Sequence, residues 1–202
     1  MRRSYLIWDY DMSGRYGVDM SEHVLLSRAA EVLSAAPAAS MEEIAAAVGI
    51  SRATLFRRYP NRQVLVSAVA RAAAEAYVAA TDAARLEEGP PDDALRRLIA
   101  ALAPLGVRFG LLTSQPLNEL VEKELLTLVR DSDEQLRALV RRGQEDGVFR
   151  VDLSAEWVVI MVTWLLVGGA DGVRLGQLAA REVERLVTET VLSALRRPHR
   201  QR

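Results

Sequence analysis

The 202-residue chain contains no cysteine and only two histidines, His23 and His199, far apart in sequence. Without cysteine there is neither a disulfide framework nor a thiolate metal site. Two distant imidazoles leave almost nothing from which to build a histidine metal site or a Ser-His-Asp triad. No carboxylate pair, nucleophile beside a base, or phosphate-cradling glycine loop occurs at workable spacing, so neither catalysis nor a metal or organic cofactor is expected. Long apolar runs are also missing. The most apolar stretch, residues 157–170, is 14 residues long and is broken by Thr163, Gly168 and Gly169, whereas a bilayer needs roughly 20. At the N-terminus, Arg2 and Arg3 precede only residues 5–8 before Asp9 and Asp11 follow, which is too short for a signal peptide. The expected setting is the cytoplasm, with no membrane partner.

What is present is a soluble globular composition, 50% hydrophobic and 26% charged, on a chain long enough for a small domain joined to a larger one. The formal net charge of −1 conceals an uneven distribution. Residues 21–72 carry six Arg (Arg28, Arg52, Arg57, Arg58, Arg62, Arg71) against four Glu (Glu22, Glu31, Glu42, Glu43), with no acid between Arg52 and Arg71. Residues 73–202 carry 17 basic and 20 acidic side chains. A near-neutral total thus hides a basic end and a mildly acidic body.

Residues 1–20 have no sustained period and contain Ser13, Gly14 and Gly17, so a poorly ordered arm is expected there, with Met12 and Met20 as alternative starts. From Ser21, the expected N-cap, Val24, Leu25, Ala29, Val32 and Leu33 recur at helical spacing until Pro37. Ser40 and Glu43 then form the S-x-x-E capping box of a second helix, with Ile44, Ala45 and Val48 on one side. Gly49 supplies the turn that a side chain resists, and Ser51 caps a third helix whose inward anchor is Leu55. Small Ala45 lets two helices joined by so short a turn cross closely. The third segment carries its arginines on the face that does not pack, as a helix-turn-helix aimed at DNA does.

The run I-A-A-A-V-G-I-S-R-A-T-L-F-R-R-Y-P-N-R-Q-V-L resembles the N-terminal domain of TetR-family transcriptional regulators, over roughly residues 22–66. Its short recognition helix is followed at once by an aromatic, a turn and a basic residue opening a fourth helix. The resemblance implies that Ser40, at the capping position, touches a phosphate. It implies that Arg52, Ala53 and Thr54 face the groove and that Tyr59 is the buried aromatic. Phe56 and Arg58 stand where the family usually has a tyrosine and a histidine, and Arg62 where it usually has a lysine. Phe56 lacks the hydroxyl that would bond a phosphate, so Arg58 is expected to take over as anchor. Physical chemistry gives the same division: Arg52 is placed to grip guanine O6 and N7. Arg58 and Arg62 are placed to hold phosphates beside the positive end of a fourth helix capped by Asn61. Ser51 joins them as a residue of the DNA-facing surface.

Beyond Leu65 an Ala-rich pattern predicts one helix to about Leu86, and residues 87–93 break it. The next helix carries Leu95, Leu98, Ile99 and Leu102 and is interrupted at Pro104 and Gly106. A long amphipathic pattern starts at Leu117 or Glu119 and ends near residues 143–147. Asp152 or Ser154 caps a helix over 155–175 that is apolar nearly all round, and a final helix spans about 177–195. The expected fold is all-α, with about nine helices. It comprises a helix-turn-helix domain at 21–66 and a helical regulatory and dimerisation domain at 67–197.

Gly168, Gly169 and Gly172, with Leu186, Val187 and Val191, are the expected two-fold interface, although helical spacing alone does not separate it from intrachain core. Phe109, Leu112, Gln115, Trp157, Met161 and Trp164 are candidate linings of an apolar ligand pocket, or else ordinary core. The partners expected are double-stranded DNA bearing a palindrome, a second copy of the chain, and a largely apolar small-molecule effector. The resemblance implies a repressor whose ligand changes the spacing of two reading heads. The alternative is a dimeric helical scaffold that keeps the helix-turn-helix shape without reading DNA, which the missing hydroxyl at Phe56 supports.

Overall fold

The computed structural model describes residues 21–106, 110 and 117–196. The expected arm at 1–20 lies outside them. Nine α-helices occur among the described residues: α1 (Glu22–Ala35), α2 (Met41–Val48), α3 (Arg52–Arg58), α4 (Arg62–Ala84), α5 (Pro91–Leu102), α6 (Leu117–Leu120), α7 (Lys123–Glu145), α8 (Ala155–Arg174) and α9 (Ala180–Leu195). A 3-10 turn, Ala103–Leu105, extends α5. The one β feature among these residues is an isolated antiparallel bridge between Phe149 and Arg196.

The buried side chains form two cores that share α4. The first takes Leu25, Ala29 and Leu33 from α1, Ile44 and Val48 from α2, and Leu55 from α3, and closes over Leu65, Val66 and Val69 of α4. The second begins at Ala73 and Ala74 on the same helix and gathers α5, α7, α8 and α9 around Leu98, Ile99, Leu136, Phe149, Val158 and Leu166. Ala70, Ala73 and Ala74 are buried with nothing larger than a methyl, so neighbouring helices pack close to the α4 backbone. By length and composition alone, α4 and α8 could cross a membrane; here α4 runs through both cores.

Several local features explain where elements stop. Arg85 adopts a left-handed conformation after α4, and Arg97 donates to the carbonyls of Ala84, Arg85 and Glu88 at 2.7–2.9 Å, satisfying the orphan acceptors of that helix end. Arg142 does the same for Leu86 and Glu87 at 2.7 Å. Ser154, rather than Asp152, caps α8 by accepting the Trp157 N–H at 3.1 Å; Asp152 is ion-paired with Arg150.

Three expectations are corrected. Ser21 occupies the N-cap position of α1 but its side chain makes no capping bond. The amphipathic pattern from Leu117 is not one helix: it breaks after α6, where Glu122 is extended and its carboxylate receives the Arg71 guanidinium, so that chain direction is traded for an ion pair to α4. The last helix starts at Ala180 rather than Gln177, because Gly176 takes a positive φ and the N–H groups of Gln177 and Leu178 turn back to the Gly172 carbonyl.

Tyr59 ties the end of α3 to the start of α1, its hydroxyl donating to Glu22 Oε1 at 2.9 Å. Burial, reinforced by the Glu22 carboxylate, pushes its phenol up to about 12 from 10. The raised value means that its stabilisation is intact below pH 10 and is lost as pH rises towards 12. Equilibrium unfolding across that range is expected to lose stability less steeply in Tyr59→Phe than in the natural protein. Some slope remains, since the partly buried Tyr77 phenol, bonded to Asp133, is shifted in the same direction.

Candidate nucleic-acid interface

α3 has seven residues, too few to hold a helical shape alone in water. Its conformation is imposed by its neighbours. The box at Ser40 is complete: the Glu43 N–H donates to Ser40 Oγ at 3.2 Å, and the Ser40 N–H to Glu43 Oε2 at 2.7 Å. These bonds hold the Glu43 carboxyl below its usual range, first through the Ser40 backbone and then through its hydroxyl. α2 ends on Gly49 with φ +86°, and the N–H groups of Gly49 and Ile50 both reach the Ala45 carbonyl at 3.0 Å. Arg28 of α1 caps the same end, donating to the Val48 carbonyl at 3.2 Å. Ser51 then accepts the Thr54 N–H at 3.1 Å and shares a 2.8 Å hydrogen bond with the Thr54 hydroxyl. The only fully buried side chain of α3 is Leu55.

With one side chain rooted, the rest of α3 faces outward. Arg52, Ala53, Arg57 and Arg58 are exposed, Thr54 and Phe56 half-buried. Arg52 is nevertheless held in place. Its guanidinium pairs with Glu42 at 3.0 Å and lies over the Phe56 ring, 5.2 Å from the centroid. An arginine so oriented at the start of an exposed helix loses little freedom when it meets a base edge. Phe56, read from sequence as a missing phosphate donor, is therefore the platform on which Arg52 rests.

Arg62 has a role within the fold. Its Nε donates to the Ala39 carbonyl at 3.3 Å, and a terminal nitrogen donates to the Pro37 carbonyl. With those donors committed to the linker between α1 and α2, it helps to fix where Ser40 and the head of α2 stand. Asn61 caps α4 as expected, accepting the Val64 N–H at 2.9 Å. The parts that sequence reasoning missed are Arg28, Glu42 and the linker role of Arg62. Glu42 was legible in principle, as the acid nearest the turn opposite Arg52; the carbonyl partners of Arg28 and Arg62 carry no residue signature at all.

The other candidate residues scatter. Phe109, Leu112 and Gln115 lie outside the described residues. Trp157 and Trp164 are 53% and 58% exposed on α8, while Met161 packs partly against the body core. Gly168 has open space where a side chain would stand, but Gly169 and Gly172 are used within the chain. Added Cβ atoms there would lie 2.7 Å from Val183 and 2.8 Å from Leu178, so these glycines let α9 and the turn before it approach α8. Val187 and Val191 are buried in the same chain's core, the intrachain alternative, and Leu186 is half-buried.

Residues 25–69, the segment just described, match the family model of bacterial regulatory proteins of the tetR family. That segment is a TetR-family DNA-binding domain. The transcriptional repressor LfrR of Mycolicibacterium smegmatis is 28% identical over 170 residues, covering 84% of this chain and 88% of its own. The transcriptional regulator NfxB of Pseudomonas aeruginosa is 28% identical over 182 residues, covering 81% and 88%. The crystal structure of LfrR in complex with proflavine superposes with a TM-score of 0.65 at 26% identity, over 87% of this chain and 96% of that one. The chain is a DNA-binding transcriptional regulator whose fold is that of LfrR, with the helix-turn-helix at the N-terminal end.

Two substitutions separate reading from holding. Arg52→Ala is expected to relax base preference at one position of each half-site, a loss of about 1–3 kcal/mol of discrimination. Arg58→Ala is expected to weaken binding to all sequences alike and to flatten its salt dependence. Competition binding against single-base operator variants at two salt concentrations distinguishes the two.

Proposed function

We propose that the protein is a dimeric repressor that binds a palindromic operator in the cytoplasm and releases it when a small, largely apolar effector occupies its helical body. The observation that carries the dimer is the outer stripe of α8. Trp157, Ile160 and Trp164 stand three and four residues apart, Gly168 continues the line without a side chain to block approach, and Leu175 follows beyond the helix end. Large exposed apolar side chains in a row mark a surface that a partner covers. Self-complementary pairing about a two-fold axis is the commonest way for a soluble chain to cover it.

Two heads related by that axis suit adjacent major grooves about 34 Å apart. In this reading Arg52 contacts bases, Ala53 and Thr54 line the groove, and Phe56 supports Arg52. Ser40, Ser51 and Arg58 meet the phosphate backbone, and Arg62 sets the linker behind them. Regulation by an effector is supported by the LfrR structure with bound proflavine. For this mechanism the effector must favour a conformer whose two heads no longer match successive grooves. The work asked of the protein is binding, with no chemical step.

Purified protein is expected to bind its own upstream intergenic DNA selectively and less tightly as salt rises; absence of selectivity would reject the reading. Trp164→Glu alters an exposed side chain of the protomer and is expected to leave the helical fold intact. It should convert a sedimenting dimer to a monomer and reduce operator affinity by at least about tenfold. A dimer that survives this substitution would move the interface elsewhere.

A further inference from the structure

A cavity of about 740 Å³ lies where the reading head meets the body, within the size range of small-molecule sites. Val32 and Ala35 of α1 contribute one wall, Val173 and Val183 of α8 and α9 another, and the 3-10 turn reaches it through Pro104. Gly106 keeps that turn hard against α8: a Cβ there would fall 2.8 Å from the Leu166 carbonyl oxygen and 2.9 Å from the Ala170 Cβ. Among the described residues the walls are mostly short aliphatic side chains, and negative charge enters from Glu31 on α1 and Glu184 on α9. Among the described residues neither carboxylate has a hydrogen-bond or ion-pair partner. Of the two arginines at the cavity, Arg174 is committed to Asp171 at 3.1 Å, which leaves Arg181 against two uncompensated acids.

We propose that this junction cleft binds an apolar organic cation, and that its occupancy biases the orientation of the reading head. The apolar walls accept the body of such a molecule, and the unpaired carboxylates of Glu31 and Glu184 complement its charge. The coupling follows from which elements form the walls. α1 belongs to the head core, and α8 and α9 to the body core. A ligand touching both has an affinity that depends on how they are disposed, and it shifts that disposition in return. The proposal extends the effector reading, but its binding arm needs no DNA, so the two fail separately.

Calorimetric titration of the full chain with tetraphenylphosphonium, and with tetraphenylborate as an anion of the same shape, tests it. The phosphonium is expected to bind one site per chain. The double variant Glu31→Gln/Glu184→Gln should weaken it by roughly tenfold while leaving the borate unaffected or tighter. Ala35→Trp, made at an exposed position of α1, should fill the cleft and abolish binding. Absence of phosphonium binding, binding that persists in Ala35→Trp, or an equal loss for both ions in the double variant would overturn the site or its ligand class. For the coupling, saturating phosphonium is expected to change operator affinity, and operator to change phosphonium affinity by the same factor. An unchanged operator affinity would overturn it.

Discussion

α4 belongs to two cores at once, and the rest of the molecule depends on that constraint. Its first three turns are buried among α1, α2 and α3, and its remainder among the helices of the body. A 23-residue helix spans about 34 Å, and none of its described residues is a glycine or proline that would let it bend. The direction of the reading head is therefore tied to the packing of the body. Two contacts strengthen the tie: Arg71 pairs with Glu122 before α7, and the partly buried Tyr77 hydroxyl donates to Asp133 on α7 at 2.6 Å.

The head itself is built for fixed presentation. A seven-residue helix with one buried side chain gains its order from caps and from the turn before it. Ser51 closes its start, Gly49 reverses the chain, and Tyr59 closes its end against α1. Each N-cap of this kind is worth about 1 kcal/mol, which matters when the helix buries only Leu55 fully and Phe56 in part. The arginines divide the labour. Arg28 and Arg62 point back to backbone carbonyls and hold the scaffold, whereas Arg52 is poised outward by Glu42 and Phe56.

Much of this was legible in the sequence, because capping boxes, a left-handed glycine and helical spacing are local chemistry. Ile44, Val48 and Leu55 are buried and Gly49 is left-handed, as their spacing predicts. The break at Glu122 was not legible, since Leu120 and Leu125 keep an apolar register across it, whereas Glu122 is extended there and pairs with distant Arg71. Whether Val187 and Val191 pack within the chain or across an interface was not legible for a related reason: a periodic apolar face records that it is buried without recording by which chain. Trp157 and Trp164 illustrate the converse. Their aromatic size suggested a pocket, but their place on α8 turns them outward. The tether at Arg62 was hidden because a backbone carbonyl accepts from any donor that reaches it.

The central claim is that two copies of α3, set by two α4 helices, read successive grooves of one duplex. Hydroxyl-radical footprinting on an operator selected from random-sequence DNA tests it most directly. The account predicts two symmetric protected patches separated by about one helical turn, or 34 Å, related by the dyad of the selected palindrome. A single protected patch, or uniform protection without a selected sequence, would contradict it.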